Sequence, residues 1–77
     1  MKRVEVYTTP TCPWCTKTKS FLKEKNIRFQ EFDISSDEEA RSEMARKSGQ
    51  MGVPVIEIDG RIIVGFDHEL ITKALEA

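Results

Sequence analysis

The stretch Val4-Glu5-Val6-Tyr7-Thr8-Thr9-Pro10-Thr11-Cys12-Pro13-Trp14-Cys15 holds a strand-like run (Val4–Tyr7), a polar loop and a Cys-x-x-Cys turn, in that order. Immediately after it, Trp14, Thr18, Phe21 and Leu22 recur at helical spacing. They predict a helix running to about Lys25, with Asn26 as its stop. Pro13 falls at the first helical position, where its missing N–H is no loss. A strand that feeds a dithiol turn at a helix start is the smallest arrangement in which two thiols can make and break one disulfide.

Working outward, Arg28–Ile34 is read as a second strand, although Ile27 and Phe29 fall out of phase with Phe32 and Ile34. That broken alternation predicts a strand covered on both faces rather than an edge. Ser36-Asp37-Glu38-Glu39 reads as a capping box opening a second helix, which carries Ala40, Met44 and Ala45 on one side and stops at Ser48-Gly49. Val55–Ile58 and Arg61–Val64 flank Asp59-Gly60, a pair that favours a tight hairpin. Asp67 is expected to cap a last helix with Leu70, Ile71, Ala74 and Leu75 on its apolar face. The order is β-α-β-α-β-β-α. A right-handed crossover makes the first two strands parallel neighbours, and the hairpin adds an antiparallel pair. The expected fold class is α/β: a small mixed four-stranded sheet packed by helices, in a single domain over residues 1–77.

Composition narrows the function. The chain has 77 residues, 39% hydrophobic and 32% charged, which suits one small globular domain. No apolar run approaches the roughly 18 residues that a membrane span needs. The opening Met-Lys-Arg-Val-Glu-Val lacks the apolar core of a secretory signal, so a cytoplasmic location is expected, with no membrane partner. A formal net charge of −1 argues against a generic nucleic-acid binder. Charge is uneven, however. Lys17, Lys19, Lys23 and Lys25 follow the cysteines, opposed there only by Glu24, whereas residues 31–43 carry six acids against Arg41 alone. A basic neighbourhood beside the thiols would favour thiolate and attract anions, although both runs also read as solvated helix faces.

Cys12 and Cys15 are the only cysteines, and reducing compartments favour a catalytic or metal-binding pair over a structural one. Cys12 lies at or just before a helix N-terminus, where unpaired N–H groups and the helix dipole favour an anion. Cys15, one turn inside, lacks that help and should be the more buried thiol. Cys12 is therefore expected to attack a substrate disulfide, and Cys15 to resolve the mixed disulfide that results. A zinc site would need four ligands, and here there are two cysteines and the distant His68, itself a simple first-turn helical residue. Pro54 enters the third strand, where it cannot donate to the sheet ladder. Trp14 is either a flat apolar surface for a partner or an anchor for its helix.

Val-Glu-Val-Tyr-Thr-x-x-x-Cys-Pro-Trp-Cys, then Val53-Pro54, then Gly65-Phe66-Asp67, resembles a glutaredoxin along essentially the whole chain. The resemblance implies a thioredoxin fold and a cis Pro54 that faces the cysteines. It also implies a Val53 backbone free to pair with substrate, β-strand fashion, on the surface that holds a glutathionyl group. It implies polar contacts to glutathione from Arg46, Lys47 and Gln50, and a place for Asp67 beside the γ-glutamyl end. The chain departs from the family's usual pattern at Thr9, where a lysine is usual, at Gly52 in place of threonine, and at Phe66 in place of a second glycine. Gly-Phe at that place is similar to the NrdH-redoxins, which accept electrons from thioredoxin reductase and serve ribonucleotide reductase.

The expected protein is a monomeric dithiol–disulfide oxidoreductase, an electron-transport component of cell redox homeostasis with a Cys12–Cys15 redox centre. Trp14, Gln50, Val53, Pro54 and Asp67 are its expected substrate contacts. It binds no cofactor of its own. Its expected partners are disulfide-bearing proteins or small molecules, with glutathione or a thioredoxin-reductase-like flavoenzyme as electron donor. A module binding an iron–sulfur cluster or zinc is the alternative of another class.

Overall fold

The computed structural model describes residues 3–76. Four strands and three helices alternate as β1 (Val4–Thr8), α1 (Pro13–Glu24), β2 (Gln30–Asp33), α2 (Glu38–Ser48), β3 (Val55–Ile58), β4 (Arg61–Val64) and α3 (His68–Glu76). The sheet order is β2-β1-β3-β4, with β1 and β2 parallel and the β1–β3 and β3–β4 pairs antiparallel. The expected mixed sheet and the expected thioredoxin fold are both present.

Strand alternation sorts the core into two layers. Val4 and Val6 of β1 stand opposite Ile58 and Ile56 of β3, and with Ile63 they meet Leu22 of α1 and Ile71 and Ala74 of α3. On the other face, Tyr7 and Val55 meet Ala40 and Met44 of α2 and also Ile34. Every residue of β1 is buried, which fits a central strand. The second face is only partly apolar. Glu5 and Glu57 stand directly opposite one another there, a repulsive pairing by itself. Lys47 of α2 resolves it, donating to Glu57 at 2.6 Å and to the Tyr7 hydroxyl oxygen at 3.2 Å, with Glu43 at 3.6 Å and Glu5 at 3.9 Å. Its ammonium is held protonated well above the ordinary lysine range, chiefly by the bond to Glu57.

Local chemistry sets the boundaries. Asp59 and Gly60 both have positive φ, the conformation that a two-residue hairpin turn demands. Gly49 ends α2 in the left-handed region, and Asn26 follows α1 there. Three expectations need correction. The cap of α2 is Asp37, whose carboxylate accepts the Ala40 N–H at 3.1 Å, while the Ser36 hydroxyl turns back to the Asp33 carbonyl. The second strand is shorter than Arg28–Ile34, and it is an edge. Its phase break has another cause: Ile27 and Phe29 pack into the α1–α3 layer before the strand begins, whereas Phe32 and Ile34 pack into the α2 layer. On α3, Leu70 is half exposed, and Ile71 and Ala74 carry the buried face.

Candidate active site

The C-terminal end of β1 delivers the chain into the dithiol turn. Cys12 is the N-cap of α1, with extended backbone angles, and Pro13 takes the first helical position. The Thr16 N–H closes the first turn on the Cys12 carbonyl at 3.3 Å. The Cys15 backbone N–H donates to Cys12 Sγ at 3.2 Å. A sulfur in the cap position therefore takes the place of the side-chain oxygen that usually satisfies an N-terminal N–H. The Cys12 Sγ–H faces the Val53 carbonyl at 3.9 Å. Cys12 is half-buried, and both thiols are free.

Cys15 differs. It is 1% exposed, and its thiol is pushed up to about 12. Burial is the largest cause, followed by the hydrogen bond with Cys12, and charge on Cys12 raises it further. A backbone hydrogen bond at Thr9 and the Lys19 ammonium act the other way. Lys19 is four residues after Cys15, on the same face of α1. It donates to Glu31 on β2 at 2.9 Å, and the buried Thr8 hydroxyl donates to the same carboxylate oxygen at 2.9 Å. These bonds hold Glu31 ionised below the ordinary glutamate range, the Lys19 bond being the largest cause.

Beside Cys12 lies a shallow groove of about 260 Å³, lined by Trp14, Val53, Pro54, Gly65 and Phe66. The Val53–Pro54 peptide is cis, as the resemblance implied. Trp14 is 54% exposed, so its ring is offered outward, with Lys17 Nζ 4.5 Å from the ring centroid. Phe66 stands between Trp14 at 6.4 Å and Phe21 at 5.7 Å, and His68 meets Phe21 edge-on. Of the expected substrate contacts, Trp14, Val53 and Pro54 come together in this groove. Asp67 and Gln50 are engaged locally. Asp67 accepts the Leu70 N–H at 3.1 Å as the cap of α3. Gln50 donates to the Ser48 hydroxyl and the Gly52 carbonyl and accepts the Gly52 N–H. A side chain on Gly52 would meet the Gln50 amide oxygen at 2.7 Å, so glycine there suits the folded-back amide. Arg46 pairs with Glu43, and Lys47 with the carboxylates of the sheet face.

In the sequence Lys19 is one member of a basic run, and nothing local pairs it with Glu31. The i, i+4 spacing from Cys15 was the available signal. The Phe66 contacts with Trp14 and Phe21 had none. Among the described residues, no group of three or more His, Cys, Asp or Glu side chains is arranged to hold a metal ion. No helix among them is long and apolar enough to cross a membrane.

Comparison with known proteins gives a consistent family. A glutaredoxin family model matches residues 4–63. An uncharacterised glutaredoxin-like 8.6 kDa protein of a Clostridium pasteurianum rubredoxin operon is 53% identical over 73 residues, covering 95% of this chain and 97% of that one. Glutaredoxin 3 of Escherichia coli K12 is 43% identical over 67 residues, covering 87% of this chain and 81% of that one. The solved structure of NrdH-redoxin from Escherichia coli, a glutaredoxin-like protein with a thioredoxin-like activity profile, superposes with a TM-score of 0.81. It is 25% identical, with 92% of each chain covered.

Proposed function

Because this chain belongs to the glutaredoxin family, we propose that it is a dithiol–disulfide oxidoreductase whose redox centre is Cys12 and Cys15. The observation that carries the reading is the pairing of environments. One sulfur sits at a helix cap, half-buried, reached by a backbone N–H and facing the carbonyl of Val53, which lines the groove. The other is buried one turn behind it and kept as a thiol.

The chemistry follows. Cys12 thiolate attacks one sulfur of a substrate disulfide; the substrate S–S bond breaks, and the departing sulfur leaves as thiolate and takes a proton from water. Cys15 loses its proton and attacks the Cys12 sulfur. The mixed disulfide then breaks, the second substrate sulfur leaves, and the protein holds the Cys12–Cys15 disulfide. Two electrons have passed to the substrate. Trp14 and Phe66 offer apolar contact to the substrate, and the Val53 backbone offers strand-like pairing. The protein works as a cytoplasmic monomer, with glutathione or a flavoenzyme restoring the dithiol.

A second reading concerns the donor. Phe66 fills the space beside Trp14 with an apolar ring, Asp67 is taken up by the α3 cap, and Thr9 offers no cation to a carboxylate. These features favour protein disulfides and a thioredoxin-reductase-like donor, as in an NrdH-type redoxin, over glutathione. The test is NADPH consumption with one disulfide substrate in two coupled systems, glutathione with glutathione reductase and thioredoxin reductase alone. Turnover only with thioredoxin reductase supports the second reading, and turnover only with glutathione overturns it. Silence in both, with visible absorbance or stoichiometric zinc in anaerobically purified protein, would replace redox catalysis with a metal-binding role.

A further inference from the structure

The positive charge one turn after Cys15 is tied to a bridge that joins three elements of the fold. Lys19 projects from α1 one turn after Cys15 and is held by Glu31 at 2.9 Å, on the edge strand. Glu31 is itself held by Thr8, the last residue of β1 before the active-site loop. The bridge therefore joins the helix, the edge strand and the strand that delivers the dithiol turn. Its members are 12 and 23 residues apart in sequence, so only the fold brings them together.

We infer that Lys19 is a positioning residue for the resolving step, its ammonium stabilising the Cys15 thiolate, with Glu31 as the counter-charge that holds and tempers it. The inference rests on Cys15 being the resolving thiol. When Cys12 is engaged in a mixed disulfide, its own charge and its thiol hydrogen bond no longer act on Cys15. Burial still opposes ionisation, and Lys19 and the Thr9 backbone contact still favour it. Behind Lys19 stands Glu31, on which Lys23 also acts, one turn further along α1. Lys19 is thus the positive charge poised to assist as Cys15 gives its proton to solvent and attacks the Cys12 sulfur.

The experiment uses 4,4′-dithiodipyridine, which is uncharged at neutral pH, with the reduced full chain. Attack by Cys12 releases one coloured thiopyridone, and attack by Cys15 on the resulting mixed disulfide releases the second. Lys19→Met should leave the first phase within about twofold and slow the second about three- to tenfold. The effect is limited because a thiolate of higher basicity is scarcer but more nucleophilic, and because Lys19 is partly solvated. Lys19→Arg should restore the rate. Glu31→Ala, which removes both the acceptor shared by Lys19 and Thr8 and the opposing charge, should leave the second phase unchanged or faster. Both Lys19→Met and Glu31→Ala break the same bridge, so a merely structural bridge would slow both. That outcome, or a second phase that Lys19→Met does not change, overturns the inference. A second release that persists in Cys15→Ser would instead overturn the assignment of Cys15 on which it rests.

Discussion

Cys12 and Cys15 are three residues apart, yet the regions around them are built on opposite principles. Around Cys12 the protein supplies polarity and access: a helix N-terminus, a backbone N–H at 3.2 Å and an open aromatic groove. Around Cys15 it supplies burial, with the helix's own backbone no longer offering a free N–H. Moving one turn along a helix is enough to take a thiol from a capped, accessible place to one where burial holds it protonated. Thiol role here follows from position on the helix.

The largest break in that comparison is Cys12→Ser, which should abolish NADPH-coupled turnover with every substrate. Substantial residual activity would mean that the roles are misassigned. Next, Cys15→Ser should end reduction of protein disulfides while sparing any one-thiol removal of glutathione from mixed disulfides. Loss of both activities would show that Cys15 does more than resolve.

A smaller effect lies in how stability depends on pH through Cys15. The Cys15 thiol is raised in the fold from an ordinary value of 9.0 to about 12, so the reduced folded protein keeps a proton that the unfolded chain loses first. That contribution to stability is complete below about pH 9 and disappears as pH rises toward 12. Urea titrations between pH 8 and 11 should show stability of the reduced protein falling with pH, with a shallower fall in Cys15→Ala. Equal slopes would contradict the burial argument. The smallest effect tests the Cys12 side. Asp67→Ala should lower stability by about 1 kcal/mol through the lost α3 cap and leave protein-disulfide reduction unchanged at 25 °C. If glutathione-coupled turnover fell tenfold while stability held, Asp67 would be a ligand contact and not only a cap.

Much of this was legible in residue order. Asp59-Gly60 placed the hairpin because few residue pairs accept positive φ at both positions, and the observed strands end where that turn requires. Cys12-Pro13 marked the start of α1 because a proline, with its fixed φ and missing N–H, suits the first helical position. Legibility failed where two local signals competed or where distance mattered. Ser36 and Asp37 are both good caps, and only the path of the chain after β2 selected Asp37. Ile27 and Phe29 differ in phase from Phe32 and Ile34 because they serve different layers, which periodicity alone cannot distinguish from one strand covered on both sides. The Gln50 amide closes its own loop, a contact that residue order does not show.

The sequence by itself determined the element order, the hairpin, the dithiol at a helix cap and the family, since each depends on residues within a few positions of one another. Tertiary structure alone decided which partners those residues meet: Lys19 with Glu31, Lys47 with Tyr7 and the carboxylate of Glu57, and Phe66 with Trp14 and Phe21. The physical reason is reach. Backbone preference and capping act over a turn or two of chain, whereas the charges and rings that surround the thiols are brought close only when the sheet and its helices pack.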